Sequence, residues 1–210
     1  MMADKTQIDD LVKRTYRYFY DDGLVELGIG VLFLMLSLVL FGWLALGSTP
    51  WISILIVVIT VLLILAAPFL VKRAVRVMKE RVTYQRTGYV AYRPGEPGIG
   101  RWIMIGAVIL LVVVMFVMPE WFNQISVAVG IFLAIILAWF GYRVNLWRFY
   151  LVAGVALITG ILAALVGMDE IIGTALTFAA TGLLLVITGG VTLQAYLRRH
   201  PRPEGDIDHE

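Results

Sequence analysis

The sequence predicts an all-α membrane protein with six transmembrane helices arranged as three hairpins, preceded by an N-terminal amphipathic interfacial helix. The first observation is composition, because 60% of the 210 residues are hydrophobic and 15% are charged, whereas soluble domains average about 25% charged residues. The second is the segregation of charge, since 27–51 and 102–118 contain no Asp, Glu, Lys or Arg. The third is the length of the apolar runs, which suits a hydrocarbon core of about 30 Å. A water-soluble domain is therefore excluded.

Six apolar segments make up the predicted membrane domain, residues 24–200. The segments lie at about 24–46, 51–71, 102–118, 121–141, 149–167 and 171–195. The third segment is the shortest, and its pairing with the fourth leaves an alternative open. Residues 102–141 form either two full spans or a re-entrant hairpin. A re-entrant backbone is tolerated only where protein or a cavity surrounds it.

The distribution of positive charge predicts the orientation. The stretches that together contain all 17 Lys and Arg residues are 1–23, 72–101, 142–148 and 198–202. The alternate turns, 47–50, 119–120 and 168–170, contain none. By the positive-inside rule, both termini and the basic connections face the cytoplasm. We therefore expect a protein of the cytoplasmic (inner) membrane of a prokaryote.

The parts outside the spans have distinct patterns. Residues 1–23 place apolar side chains at helical spacing between charged ones, which predicts an amphipathic helix that anchors to the inner interface or, alternatively, binds a partner. The cytoplasmic loop 72–101 first extends the second helix to about residue 83 and then becomes rich in turn residues. The tail, 201–210, is acidic and contains proline, so we expect it to be mobile.

The sequence offers no constellation for catalysis or cofactor binding. It contains no cysteine and two histidines, His200 and His209, both near the C-terminus. No zinc motif, catalytic triad or nucleotide-binding motif is present. We therefore expect a non-enzymatic protein with no cofactor and no metal. Nucleic acid is not an expected partner, because membrane topology already accounts for the basic residues.

One cluster of polar residues is the candidate functional site. Its members are Asp21, Asp22, Glu26, Arg81, Tyr84, Arg86, Gly88 and Tyr89. The three carboxylates lie within about two helical turns and repel one another, which an inner arginine can relieve by bidentate hydrogen bonds. The alternative is that the acids face water and the arginines face lipid phosphate.

Glu26 is the one ionisable residue within an apparent span. Intramembrane carboxylates are functional candidates, yet this one lies close to the interface. We expect it to pair with an arginine. The candidate arginines are Arg101, Arg148 and Arg198. An ion or proton site is the alternative.

Small residues in the fifth and sixth spans predict close helix packing. These helix-packing positions are Ala156, Gly160, Ala164, Gly182, Gly189 and Gly190. Contacts within the chain are one interpretation, and a seam between copies of the chain is the other.

Three segments of the sequence carry a resemblance to known proteins: 18–27, 81–90 and the stretch from Gly182 to Pro201. With these segments the chain resembles uncharacterised bacterial six-helix integral membrane proteins over nearly its whole length. The glycine spacing of the spans is also similar to that of small six-helix membrane proteins of the acid-resistance HdeD type. Both resemblances imply a six-helix fold, and neither assigns an activity to these positions.

Three functional hypotheses remain from the sequence. The leading one is a non-enzymatic accessory or scaffold protein that acts through its cytoplasmic loop or by oligomerising. The alternative is a small-solute or ion channel or transporter that uses Glu26 and the glycine-rich fifth and sixth helices. A membrane enzyme acting on lipid would have only Asp21, Asp22 and Glu26 as acids. Expected partners are anionic lipid headgroups at the basic inner face, together with a protein partner or a second copy of the chain.

Overall fold

The structure is a computed structural model, and it describes residues 20, 22–46, 49–80 and 125–199. Of these residues, 92% are helical and none lies in a strand. The helices are α1 (Leu24–Leu46), α2 (Pro50–Met78), α3 (Ile125–Val144), α4 (Arg148–Leu165) and α5 (Glu170–Arg199). The prediction of an all-helical fold is confirmed for this part of the chain.

Four of the described helices, α1, α3, α4 and α5, are long and apolar enough to cross a membrane. They correspond to the predicted first, fourth, fifth and sixth spans, with ends that differ by no more than four residues. Helix α2 covers the predicted second span and continues beyond it to Met78. The predicted third span, the N-terminal helix and the tail lie outside the described residues. The chain is thus a helical membrane-type protein.

Helices joined by a short connection (α1 with α2, α3 with α4, and α4 with α5) run antiparallel, and turns with defined backbone geometry reverse the chain after α3 and after α4. Between α3 and α4, Asn145 has a positive φ of 56°. Between α4 and α5, Gly167 has φ of 69°, and Met168 N–H donates to the carbonyl of Ala163 at 3.0 Å. This bond and the one from Gly167 to Ala164 form a Schellman motif, which requires the left-handed conformation that glycine adopts readily.

The antiparallel arrangement gives the bundle two chemically different ends. At the end that we call the basic end, α1 and α4 begin and α2, α3 and α5 finish. Arg143, Arg148, Arg198 and Arg199 lie there. At the opposite end, α5 begins with Asp169 and Glu170, and the Asp169 carboxylate accepts a hydrogen bond from Ile171 N–H at 2.9 Å. This cap satisfies a helix N-terminal donor.

Helix α1 packs most extensively against α5, along a seam of small residues. Gly30 opposes Gly182 so closely that a Cβ atom on Gly182 would lie 2.9 Å from the carbonyl oxygen of Gly30. A Cβ atom on Gly189 would likewise lie 2.9 Å from the carbonyl oxygen of Gly23. Further along α1, the Ser37 hydroxyl donates to the carbonyl of Ala175 at 2.9 Å.

The spacing of these contacts is regular. The seam residues recur every seven positions, at 23 (immediately before α1), 30 and 37 on one side and at 175, 182 and 189 of α5 on the other. A seven-residue repeat keeps one face of each helix toward its neighbour. Small residues at these positions bring the two backbones together, which is how helices associate in a membrane.

A second pair of close helices is α3 with α4. A Cβ atom on Gly130 would lie 2.7 Å from the carbonyl oxygen of Ala156, and one on Gly160 would lie 2.6 Å from that of Ser126. Helix α4 also packs on α5, whereas α2 packs on α1. Phe149 is fully buried where α3 and α4 meet, with its ring edge-on to Phe140 at 5.3 Å.

These contacts place the predicted packing residues. Ala156, Gly160, Gly182 and Gly189 lie in contacts within the chain. Two positions differ from the prediction: Ala163 rather than Ala164 is buried on α4, and a Cβ atom on Gly190 would meet no atom of the described residues within 4 Å. Neighbouring residues point about 100° apart on a helix, so only one of each adjacent pair faces the partner helix.

The seam predicts different consequences for two glycines in α5, Gly182 and Gly190. Gly182→Ala should lower the free energy of unfolding by about 1–3 kcal/mol, because the new methyl group would press on backbone that cannot move aside cheaply. Thermal unfolding of the purified protein in detergent measures the difference.

The matched control is Gly190→Ala on the same helix. Its methyl group would contact none of the residues that the structure describes, so stability should stay unchanged or rise by up to about 1 kcal/mol from the better helix propensity of alanine. Equal unfolding temperatures for the two variants would contradict the α1–α5 contact.

Candidate functional site

The candidate site is a set of buried ion pairs at the basic end of the bundle. Three charged residues are almost fully buried there: Asp22 and Glu26 are each 1% exposed and Lys79 is 3% exposed. Charged side chains are rarely buried to this extent unless they are paired. Each of the three takes part in an ion pair, as described below.

Arg148, at the start of α4, makes the contacts that join three parts of the bundle. Its Nε atom lies 2.5 Å from the Glu26 carboxylate. Its Nη1 atom donates to the Thr192 hydroxyl of α5 at 2.8 Å. Its Nη2 atom donates to the backbone carbonyl of Tyr20 at 2.7 Å. One guanidinium therefore ties α4 to α1, to α5 and to the residues that lead into α1.

The local sequence prepares each of these partners. Glu26 lies in the first turn of α1, where the positive end of the helix dipole favours a carboxylate. Thr192 donates its own proton to the Thr188 carbonyl at 2.7 Å, so its oxygen lone pairs remain available to Arg148. The lack of a side chain at Gly189 leaves room for Glu26, whose Cβ atom would otherwise be 3.0 Å from a new methyl group.

A second ion pair joins the end of α2 to the start of α1. The Lys79 Nζ atom lies 2.8 Å from Oδ2 of Asp22. The other carboxylate oxygen, Oδ1, accepts a hydrogen bond from Leu24 N–H at 3.2 Å. Burial lowers the pKa of Lys79 below its ordinary value, and the Asp22 carboxylate opposes that shift. The pairing thus offsets part of the desolvation of the ammonium group.

The predicted site residues divide into two groups. Asp22 and Glu26 lie in the site, and Arg148 is the arginine in contact with Glu26. The remaining predicted members lie outside the described residues: Asp21, Arg81, Tyr84, Arg86, Gly88 and Tyr89. The carboxylates of Asp22 and Glu26 bind separate cations rather than sharing one.

The sequence analysis missed Lys79, Thr188 and Thr192. A signal for Lys79 exists, because it continues the spacing of Val71 and Val75, four residues apart. Those two valines pack against Gly28 of α1. The periodicity of α2 therefore indicates that Lys79 faces α1. The two threonines carry no such signal, since threonine also occurs in span six at 174, 177 and 181.

The opposite end of the bundle has a simpler polar contact. The Glu170 carboxylate accepts a hydrogen bond from the backbone N–H of Ser126 at 3.2 Å, which joins the start of α5 to the start of α3. Among the described residues, no three His, Cys, Asp or Glu side chains converge as metal ligands.

The ion pairs at the basic end connect neighbouring helices, and we call this set of four side chains the clamp: Asp22, Glu26, Lys79 and Arg148. The buried carboxylates Asp22 and Glu26 face a lysine and an arginine, and the hydrogen bonds of the arginine go to groups on other helices. Such pairs are strong only when additional hydrogen bonds support them, as they do at Arg148.

Comparison with protein-family models, curated proteins and solved structures gave no match. The class of the chain therefore follows from its own features. They define an all-helical membrane-type protein with a clamp of buried ion pairs at one end.

The clamp predicts strong coupling between Glu26 and Arg148. Glu26→Gln and Arg148→Gln should each destabilise the protein by about 3–5 kcal/mol, because each leaves an uncompensated buried charge. The double variant should lose less than the sum of the two, with a coupling of about 0.5–3 kcal/mol. Unfolding free energies of the four proteins in detergent provide the cycle.

Arg198→Gln is the matched control for loss of an arginine, since Arg198 is exposed at the same end. It should change stability by no more than about 0.5 kcal/mol. Additive effects of Glu26→Gln and Arg148→Gln would show that the two side chains do not stabilise each other.

Proposed function

We propose that the protein is a six-span protein of the cytoplasmic membrane of a prokaryote, built from three hairpins. In this topology both termini and the loop 72–101 are cytoplasmic. The basic end supports the proposal, because Lys79, Arg148 and Arg198 lie together at one end of the bundle and Asp169 lies at the other. This arrangement is the one that the positive-inside rule predicts for cytoplasmic arginines and lysines.

We further propose that it acts as a non-enzymatic accessory or scaffold protein, through its cytoplasmic loop or by oligomerising. The observation that carries this proposal is the ion pair between Lys79 and Asp22. It holds the last turn of α2, from which the loop continues, against the start of α1. A loop that starts from a fixed point presents its residues to a partner with a smaller loss of conformational entropy.

The arrangement at Glu26 supports a scaffold over a channel. A channel or transporter that used Glu26 would need its carboxylate to face a solute path, whereas this carboxylate is 1% exposed and bound by Arg148. One result would instead favour transport: proteoliposomes with the wild-type protein show flux of an ion or small solute, and the Glu26→Gln variant abolishes that flux.

The proposed topology predicts the labelling of introduced cysteines. Because the chain contains no cysteine, a single substitution reports on one position. In intact spheroplasts, a membrane-impermeant maleimide should label Ser48→Cys and Glu120→Cys.

The matched pair Lys72→Cys and Arg202→Cys should react only after the membrane is lysed. Labelling of either one in intact cells would contradict the cytoplasmic placement of the basic segments. Failure of Glu120→Cys to react from outside would indicate that 102–141 is a re-entrant hairpin.

The proposed role of the loop predicts the loss of partners when the loop is shortened. Deletion of 83–93 should remove the proteins that copurify with the native complex, whereas deletion of 203–210 should leave them in place. Quantitative mass spectrometry of crosslinked complexes measures both.

The contribution of the ion pair is separable from that of the loop itself. Lys79→Met should weaken partner capture because the start of the loop is no longer held, and the exposed Lys72→Met should not. An unchanged partner set after deletion of 83–93 would reject the loop as the functional part.

A further inference from the structure

The outer face of α5 carries an apolar stripe that no described helix covers. Leu183, Ile187 and Val191 are exposed by 53%, 51% and 62%. Their spacing of four residues places them on one side of the helix. Exposed aliphatic side chains on a membrane-spanning helix are positioned to contact acyl chains.

At the basic end, the stripe leads into a shallow cleft whose surface is mostly apolar and which includes polar and charged side chains. The cleft has a volume of about 310 Å³ and is lined by Val191, Gln194, Ala195, Arg198 and Arg199. It therefore combines aliphatic surface, an amide and two guanidinium groups along two turns of the same helix. Guanidinium groups bind phosphate by paired hydrogen bonds and remain charged at any physiological pH.

The length of α5 sets the position of this cleft relative to the headgroup layer of the bilayer. A helix of 30 residues is about 45 Å long, which matches a bilayer including both headgroup layers rather than its hydrocarbon core of about 30 Å. Thr192, bound by Arg148, lies about two turns before Arg199. Arg198 and Arg199 therefore reach headgroup depth when α5 spans the membrane.

We propose that this face of α5 binds an anionic phospholipid. Arg198 and Arg199 hold the phosphate, Gln194 donates to the glycerol ester region, and the acyl chain follows Val191, Ile187 and Leu183. The apolar stripe selects a lipid over free phosphate, and the two arginines select an anionic headgroup over a zwitterionic one. The inference rests on the proposed membrane insertion and is independent of the proposed role of the loop.

Native mass spectrometry of the full-length protein tests the proposal. The protein is purified in a neutral detergent and titrated with phosphatidylglycerol or phosphatidylcholine, and the apparent Kd of the first bound lipid is measured. We expect tighter binding of phosphatidylglycerol, and on the order of tenfold weaker binding in the double variant Arg198→Gln/Arg199→Gln.

The matched control is Arg73→Gln/Arg76→Gln, which removes the same charge from exposed positions on α2. It should leave the Kd within about twofold of wild type. An equal loss in both double variants would overturn the site in favour of diffuse attraction between charges, as would equal binding of the two lipids. Competition by soluble glycerol phosphate would show a site for free phosphate instead.

Vesicle flotation of the same variants separates this inference from the topology on which it rests. Variants that stay in the membrane but keep their affinity for phosphatidylglycerol would refute the lipid site alone. A wild-type protein that does not float with vesicles would refute the membrane proposal itself.

Discussion

The ion pair of the buried Glu26 carboxylate with the partly buried Arg148 guanidinium is the constraint on which the arrangement of the described helices depends. A charged group removed from water must recover its lost hydration from the protein. Arg148 does so through Glu26, Thr192 and the Tyr20 carbonyl, which belong to different parts of the bundle. Because the geometry of the guanidinium is fixed, the start of α1, the start of α4 and the end of α5 have one relative position that satisfies it.

The glycine seam and the ion pair depend on each other. Gly189 brings α5 so close to α1 that Glu26 lies against the α5 backbone, and Thr192 lies less than one turn further along α5. The same close approach recurs at Gly30 and Gly182, where there is no charge. Dispersion contacts between backbones thus hold the apolar middle of the two helices, and the arginine holds their polar end.

Helix α2 is attached differently from the other helices. Its described contacts are mainly with α1, through Val71 and Val75 against Gly28, and its end is held by the pair of Lys79 with Asp22. Because Asp22 also accepts a hydrogen bond from Leu24 N–H, one carboxylate contacts both the start of α1 and the end of α2. A partner that binds the segment following α2 would therefore act on the turn that leads to Glu26.

Within the described residues, the sequence by itself determined which segments are helical, because apolar length and the positions of charges are local properties of the chain. The predicted first span, 24–46, coincides with α1. Only the tertiary structure decided which side of each helix faces inward: Gly189 rather than Gly190, Ala163 rather than Ala164, and Lys79 toward α1. It also selected Arg148 among the arginines available to Glu26. The rotation of an apolar helix about its axis is set by packing against its neighbours, and a uniformly apolar sequence does not encode it.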